Sequence, residues 1–254
     1  MNASTNYFSA VQNQLTWVMD TQLESINAAA EVCARSISAD GLVFTFGTGH
    51  GAFPALESFP RTGTVTGFRP IVETSILTMH HVLGDTGTSQ YRFLHKQEGF
   101  GNAILKSHQI IADDSLILFS HSGINPVIID MALEFQRRHL PVIGVTSIPH
   151  SSAAPARHSC GKRLYEVADI VIDTGVPSQD AAVDIEGLPF KVGPVSTPVA
   201  VAISHAINTR TTELLVESGY EPMIMVNPNT ASEKAAHEQN DANYADLWRR
   251  LRAR

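Results

Sequence analysis

Ser115-Leu116-Ile117-Leu118-Phe119 runs straight into Ser120-His121-Ser122-Gly123-Ile124-Asn125-Pro126, and this junction decides the fold. Five strand-forming residues, apolar at every position, give way to a small polar loop and then to a helix over roughly 126–138. A strand apolar on both faces belongs in a parallel sheet that is covered on both sides. Pro126 suits the first turn of a helix, and Asn125 suits its N-cap. The same order occurs upstream, where Leu42-Val43-Phe44-Thr45-Phe46 leads into Gly47-Thr48-Gly49-His50-Gly51 and a helix-like segment. Pro141 to Thr146 and Ile170-Val171-Ile172 read as further strands. Strands alternating with helices predict an α/β fold with a doubly wound parallel sheet.

Outward from this core, Phe8, Val11, Leu15, Val18, Met19, Leu23, Ile26 and Ala29 recur at helical spacing and predict a helix over 5–38. Ala39-Asp40-Gly41 ends it. A long helix is expected near 196–218, and a charged tail helix over 233–252. The stretch 147–165 is polar and reads as a loop at its start. With no internal repeat and no low-complexity linker, residues 1–254 read as a single domain.

Composition narrows the function. A net charge of −7, from 18 basic and 25 acidic residues, argues against a nucleic-acid surface. It leaves room for an anionic small ligand, which backbone N–H groups and hydroxyls at a helix N-terminus hold without net positive charge. Two cysteines, Cys33 and Cys160, with no metal-like spacing indicate a reduced setting. The N-terminus lacks signal-peptide character, and no apolar run approaches the ~20 residues of a membrane span. The expectation is a cytoplasmic protein with no membrane or nucleic-acid partner.

In an open α/β sheet, ligands bind beyond the carboxyl ends of the strands. The loops at 47–51 and 120–126 both fall there. The glycines of the first allow close backbone approach, and the helix after it points free N–H groups outward. Alone it also fits a plain strand-to-helix turn. The second offers two hydroxyls, a glycine and a helix start, more than capping requires. A third segment, Glu186 to Pro198, is rich in turn residues and precedes the long helix. Ser196 or Thr197 could cap that helix and reach a ligand. Lys191 could meet an anion, although an isolated lysine is more often a solvated surface residue.

GTGHG, SHSGINP and the KVGPVSTP turn before a long helix together resemble sugar isomerase (SIS) domain proteins. The resemblance runs from about Tyr7 to Arg252. It is strongest to stand-alone bacterial members related to sedoheptulose-7-phosphate isomerase, to which KVGPVSTP and the VNPN segment point. It implies a flavodoxin-like sheet of five strands, a homodimer or homotetramer, and no cofactor. It implies that Ser120, Ser122 and Asn125 hold a sugar phosphate, with Asn125 in place of the usual Ser or Thr. It puts Gly49 and His50 on the sugar side. Gly51 stands where the family often has serine, and SFPRTG replaces the usual end of the following helix, with Pro60 stopping it early.

Aldose–ketose isomerisation moves a proton between C1 and C2 through an enediolate, so it needs a base and a proton shuttle. Glu57 occupies a place resembling that of a functional side chain in related isomerases, and its flanks Leu56 and Phe59 suggest burial. Glu98, in a Glu-Gly-aromatic element the family also carries, equally fits a helix N-terminal charge. His205 lies among apolar residues and reads as a core histidine or a catalytic one. His237 matches a His-Asn pair of the subgroup, and the resemblance allows it to enter a neighbouring subunit's site. His80 and His81 are adjacent, so they point to different faces and chelate poorly. No HExxH motif and no cysteine cluster occurs, while the resemblance leaves room for a zinc ion in the sugar site, as in some isomerases of the family. Three readings stay open: an isomerase of an anionic sugar, an etherase-like lyase of N-acetylmuramic acid 6-phosphate, and a non-catalytic sugar-phosphate sensor. A dinucleotide oxidoreductase fits poorly, since GTGHG is not GxGxxG.

Overall fold

The structure, a computed structural model, describes residues 2–77, 88–229 and 233–253. His80 and His81 lie outside the described residues. The chain opens with helix α1 (Ala3–Ser38), β1 (Val43–Gly47), a 3-10 turn at Gly49–Gly51 and the short helix α2 (Ala52–Glu57). There follow β2 (Phe68–Pro70), α3 (Thr74–Leu77), α4 (Thr88–Leu94), α5 (Phe100–Leu105), β3 (Ser115–Phe119) and α6 (Pro126–Arg137). Next come β4 (Val142–Thr146), α7 (Ile148–Ala153), α8 (Leu164–Val167), β5 (Ile170–Asp173), β6 (Ala181–Val183) and β7 (Val192–Pro194). Two helices end the chain, α9 (Ser196–Glu217) and α10 (Glu233–Arg252).

The main sheet has five parallel strands in the order β2-β1-β3-β4-β5, as the flavodoxin-like expectation requires. The small β6–β7 ribbon is antiparallel. Strand order reverses between β1 and β3, whose register sets Gly47 opposite Phe119. The turn after β1 and the loop after β3 therefore leave the sheet at the same level on either side of the switch point, where such folds open a crevice.

Alternation explains why these strands read as continuous apolar runs. Val43, Ile117, Phe119, Ile143, Val145 and Ile172 face one side and bury Ile26, Cys33 and Ile37 of α1 with Val199, Ile203 and Ile207 of α9. Phe44, Phe46, Leu116, Leu118 and Val142 face the other and bury Val127, Met131 and Phe135 of α6 with Ile104 and Leu105 of α5. Burying one such side chain is worth about 1.5–3 kcal/mol.

Three features depart from the sequence reading. Strand β2 went unread because it is three residues long and holds Pro70, which an edge strand tolerates. The stretch 147–165 does not start as a loop. The Ser147 hydroxyl accepts from His150 N–H, 3.1 Å away, and caps α7. The charged tail helix, exposed along most of its length, is latched to the fold by a few buried residues that its charge pattern does not mark. Arg250 is 3% exposed and donates to Ile37 O, Gly41 O, Tyr220 Oη and Asp246. Asn243 of the same helix donates to Ile224 O at 2.8 Å. Cys33 is buried and Cys160 exposed, both as free thiols. Among the described residues no helix is long and apolar enough to cross a membrane.

Candidate functional site

A cleft of about 230 Å³ opens at the switch point, between the ends of β1 and β3. Thr48, His50 and Gly51 of the glycine turn line one side, and Ser120, His121, Ser122 and Asn125 of the β3–α6 loop line another. Ser196 and Thr197, at the head of α9, close it with Thr174 and Asp180. Two long helices, α6 and α9, thus begin at the cleft wall and turn positive dipole ends toward it. Among the described residues no lysine or arginine lines it. Hydroxyls, helix starts and imidazoles make up a surface suited to an anion on a polar ligand.

Gly49 has φ +57°, and a Cβ there would come within 2.7 Å of the Tyr91 hydroxyl, which reaches over the turn from α4. Gly51 is required for a different reason. A Cβ at Gly51 would stand 2.6 Å from Phe119 O, so the serine common in resembling sequences has no room beside β3 here. The helix that follows is only six residues long, so the N-terminal field expected of it is small.

Two capping expectations are corrected. Asn125 occupies the N-cap position of α6 but its side chain makes no cap hydrogen bond. Its Oδ1 instead accepts from Arg157 Nη1 at 2.8 Å, bringing a guanidinium behind the loop. Ser196 and Thr197 do not cap α9, whose N-cap is Val195. Ser196 donates through its N–H (2.7 Å) and its hydroxyl (2.7 Å) to Asp180, which also accepts from Val195 N–H. Asp180 is thereby the clasp that fixes the head of α9 against β6.

The acid–base candidates separate into two groups. Glu57 and His205 come together, with His205 Nε2 3.2 Å from Glu57 Oε1. Glu57 lies three residues along α2 from Pro54 and His205 five residues along α9 from Ala200, and both Pro54 and Ala200 line the cleft. Burial acts to raise the Glu57 pKa, but the hydrogen bonds and charges of Arg61 and His205 outweigh it and hold the carboxyl below its ordinary value. Neither residue is deep: Phe59 is exposed, contrary to expectation, and the His205 side chain is 40% exposed rather than core.

The other candidates stand apart from the cleft. Glu98 is spent on Ser159, accepting from its N–H at 2.7 Å and from its hydroxyl, and these bonds hold its pKa low. Lys191 pairs with Asp184 at 3.1 Å on the exposed β6–β7 ribbon. His237 lies on the exposed face of α10 beside Glu233.

Several lining residues were not singled out in the sequence. Thr174 directly follows β5, and the position just past a strand end was the available signal for it; Asp180, just before β6, carried no such signal. His121 sits inside the β3–α6 loop, between Ser120 and Ser122. Its ring packs edge-on against His150 with centroids 4.5 Å apart. Burial and then the His150 ring push the His121 pKa down to about 4, against the opposing pull of Asp180. Burial also lowers His150. Tyr91 gave no signal at all. No cluster of three or more His, Cys, Asp or Glu residues fit to hold a metal occurs among the described residues.

The model of the SIS domain matches residues 6–147, more than half of the chain. The chain belongs to the SIS domain family. A UPF0309 protein of Shouchella clausii is 33% identical over 238 residues, covering 94% of this chain and 95% of the relative. Another, from Streptomyces coelicolor, is 28% identical over 234 residues, covering 92% and 90%. The fold is similar to that of phosphoheptose isomerase from Neisseria gonorrhoeae, with TM-score 0.55 and 15% identity over 83% of this chain and 97% of that one. It is also similar to the Vibrio vulnificus NanR protein complexed with ManNAc-6P, with TM-score 0.50 and 13% identity over 95% and 68%.

Proposed function

We propose that this SIS-domain chain binds a phosphorylated sugar in the cleft and interconverts its aldose and ketose forms. The phosphate rests on Ser120, Ser122 and the head of α6, and Glu57 with His205 forms the acid–base pair. One observation carries the reading: hydroxyls and two helix starts converge at the switch point beside a carboxylate–imidazole pair. Family membership supports it, and so does the likeness of fold to a phosphoheptose isomerase and to a protein complexed with ManNAc-6P. The same reading takes the 254 residues as one unit, acting as a homo-oligomer in the cytoplasm.

The chemistry follows from the groups at hand. A carboxylate held ionised by Arg61 and His205 is a base for the carbon-bound proton. Removing it leaves an enediolate, and the imidazole passes the hydroxyl proton between the two oxygens. Returning the proton to the neighbouring carbon completes the isomerisation with no net redox change. A second reading, binding without turnover, is favoured by the position of Glu57 and His205 beside the cleft rather than on its lining.

Proton NMR in D2O separates them. C3–C7 aldose and ketose phosphates are incubated with the protein, and the C1 and C2 protons are followed. Isomerisation predicts solvent deuterium at those carbons and appearance of the partner sugar, slowed about 100-fold or more in Glu57→Gln. Binding with no exchange supports the second reading. Lactate released from N-acetylmuramic acid 6-phosphate would establish the lyase instead.

A further inference from the structure

Eight buried side-chain polar atoms among the described residues lack a hydrogen-bond partner, and four of them belong to His121 and Thr174, which line the cleft, and to His150, whose ring packs against His121. They are both ring nitrogens of His121, Oγ1 of Thr174 and Nδ1 of His150, none with a partner at hydrogen-bond geometry, although the Pro177 and Ser178 backbones stand close enough to pull the two imidazole pKa values upward. Buried polar groups are normally paired, so a cluster of unpaired ones in a cavity wall indicates a partner supplied by a ligand. Thr174 is 3% exposed and lines the cleft, and so does His121, between the two serines assigned to phosphate. The nearby carboxylate, Asp180, is committed to Val195 and Ser196.

We propose that His121 and Thr174 form a neutral hydroxyl-recognising subsite, which takes the uncharged polyol part of a sugar monophosphate and rejects a second anionic group. This inference rests on the phosphate lying against Ser120 and Ser122. A neutral imidazole offers one donor and one acceptor, and a threonine hydroxyl offers both. A sugar hydroxyl is likewise both donor and acceptor, so the two surfaces match without charge. Burial and the His150 ring packed edge-on against it keep His121 in that neutral form. A second phosphate at this end would meet the Asp180 carboxylate and find no lysine or arginine among the described lining residues.

The test is calorimetric titration of the full chain with inorganic phosphate, C3–C7 sugar monophosphates and the matching bisphosphates. The wild type should bind its best monophosphate at least about tenfold tighter than inorganic phosphate, the return on two or so added hydrogen bonds. The matching bisphosphate should bind more weakly than that monophosphate. His121→Phe should bring the monophosphate-to-phosphate ratio close to unity, and the isosteric Thr174→Val should reduce it. Thr174→Val, which leaves the β3–α6 loop intact, should keep the affinity for inorganic phosphate within about twofold. Phosphate binding with an unchanged ratio in Thr174→Val and in folded His121→Phe overturns the subsite alone. A bisphosphate that binds as tightly as the monophosphate overturns the rejection of a second anion. No binding of phosphate or any sugar phosphate by the wild type overturns both the subsite and the cradle beneath it.

Discussion

The cleft and the tail latch are both polar and both buried, yet they use their polar atoms in opposite ways. In the latch, the guanidinium of Arg250 is matched to two carbonyls, a phenol and a carboxylate, and Arg249 beside it is paired with Asp40 and Asp246. In the cleft, His121 and Thr174 keep polar atoms without protein partners. A fully matched polar cluster holds elements together, whereas an unmatched one is a cost to the fold that a ligand can offset. Glu98 teaches the same distinction at smaller scale, since a carboxylate that resembles a catalytic group is occupied by Ser159.

The sharpest break of that comparison is in the latch. Arg250→Ala leaves Asp246 Oδ2 and the Gly41 carbonyl without the guanidinium, while Arg249 still donates to Asp246 Oδ1 and Asp40 N–H to Ile37 O, and should cost about 2–3 kcal/mol, read as a lowered urea midpoint. A loss below about 1 kcal/mol would mean that the latch is not matched as described.

The next effect belongs to the cleft. His121 titrates near its ordinary value of 6.5 in the unfolded chain and at about 4 in the fold. Between these values the unfolded state binds the extra proton, so stability is complete above about pH 6.5 and is lost as pH falls toward 4. From pH 7 to pH 5 the loss from this group should be about 2 kcal/mol at most. His150, His95 and His108, each lowered chiefly by burial, push in the same direction. Denaturant titrations at the two pH values should show a shallower slope for His121→Phe. An equal slope would place the sensitivity elsewhere.

The smallest effect is at Glu98. Glu98→Ala should leave sugar-phosphate stabilisation as it is in the wild type. A lost response would return Glu98 to the binding machinery.

The central sheet was legible because strands buried on both faces carry their own signature, as at Leu116 to Phe119 and Val43 to Phe46. The loops after β1 and β3 were legible for the same reason, being the polar breaks in that pattern. Helices α1, α9 and α10 showed in periodicity. What escaped was decided by tertiary contact. Nothing local marks Arg250 as buried, since its partners are Ile37, Gly41 and Tyr220, far along the chain. Asp180 and Thr174 reach the cleft only because β5 lies at the sheet edge beside β4. Glu57 and His205 were named separately, and their pairing depends on α2 packing across α9.

The most direct test of the account is thermal denaturation of wild type and Ser122→Ala with C3–C7 sugar monophosphates. At 100 times its dissociation constant, a ligand should stabilise the wild type by about 2.7 kcal/mol, and Ser122→Ala should lose most of that gain. A shift of equal size in both proteins, or none in either, would contradict the assignment of the β3–α6 loop as the phosphate cradle.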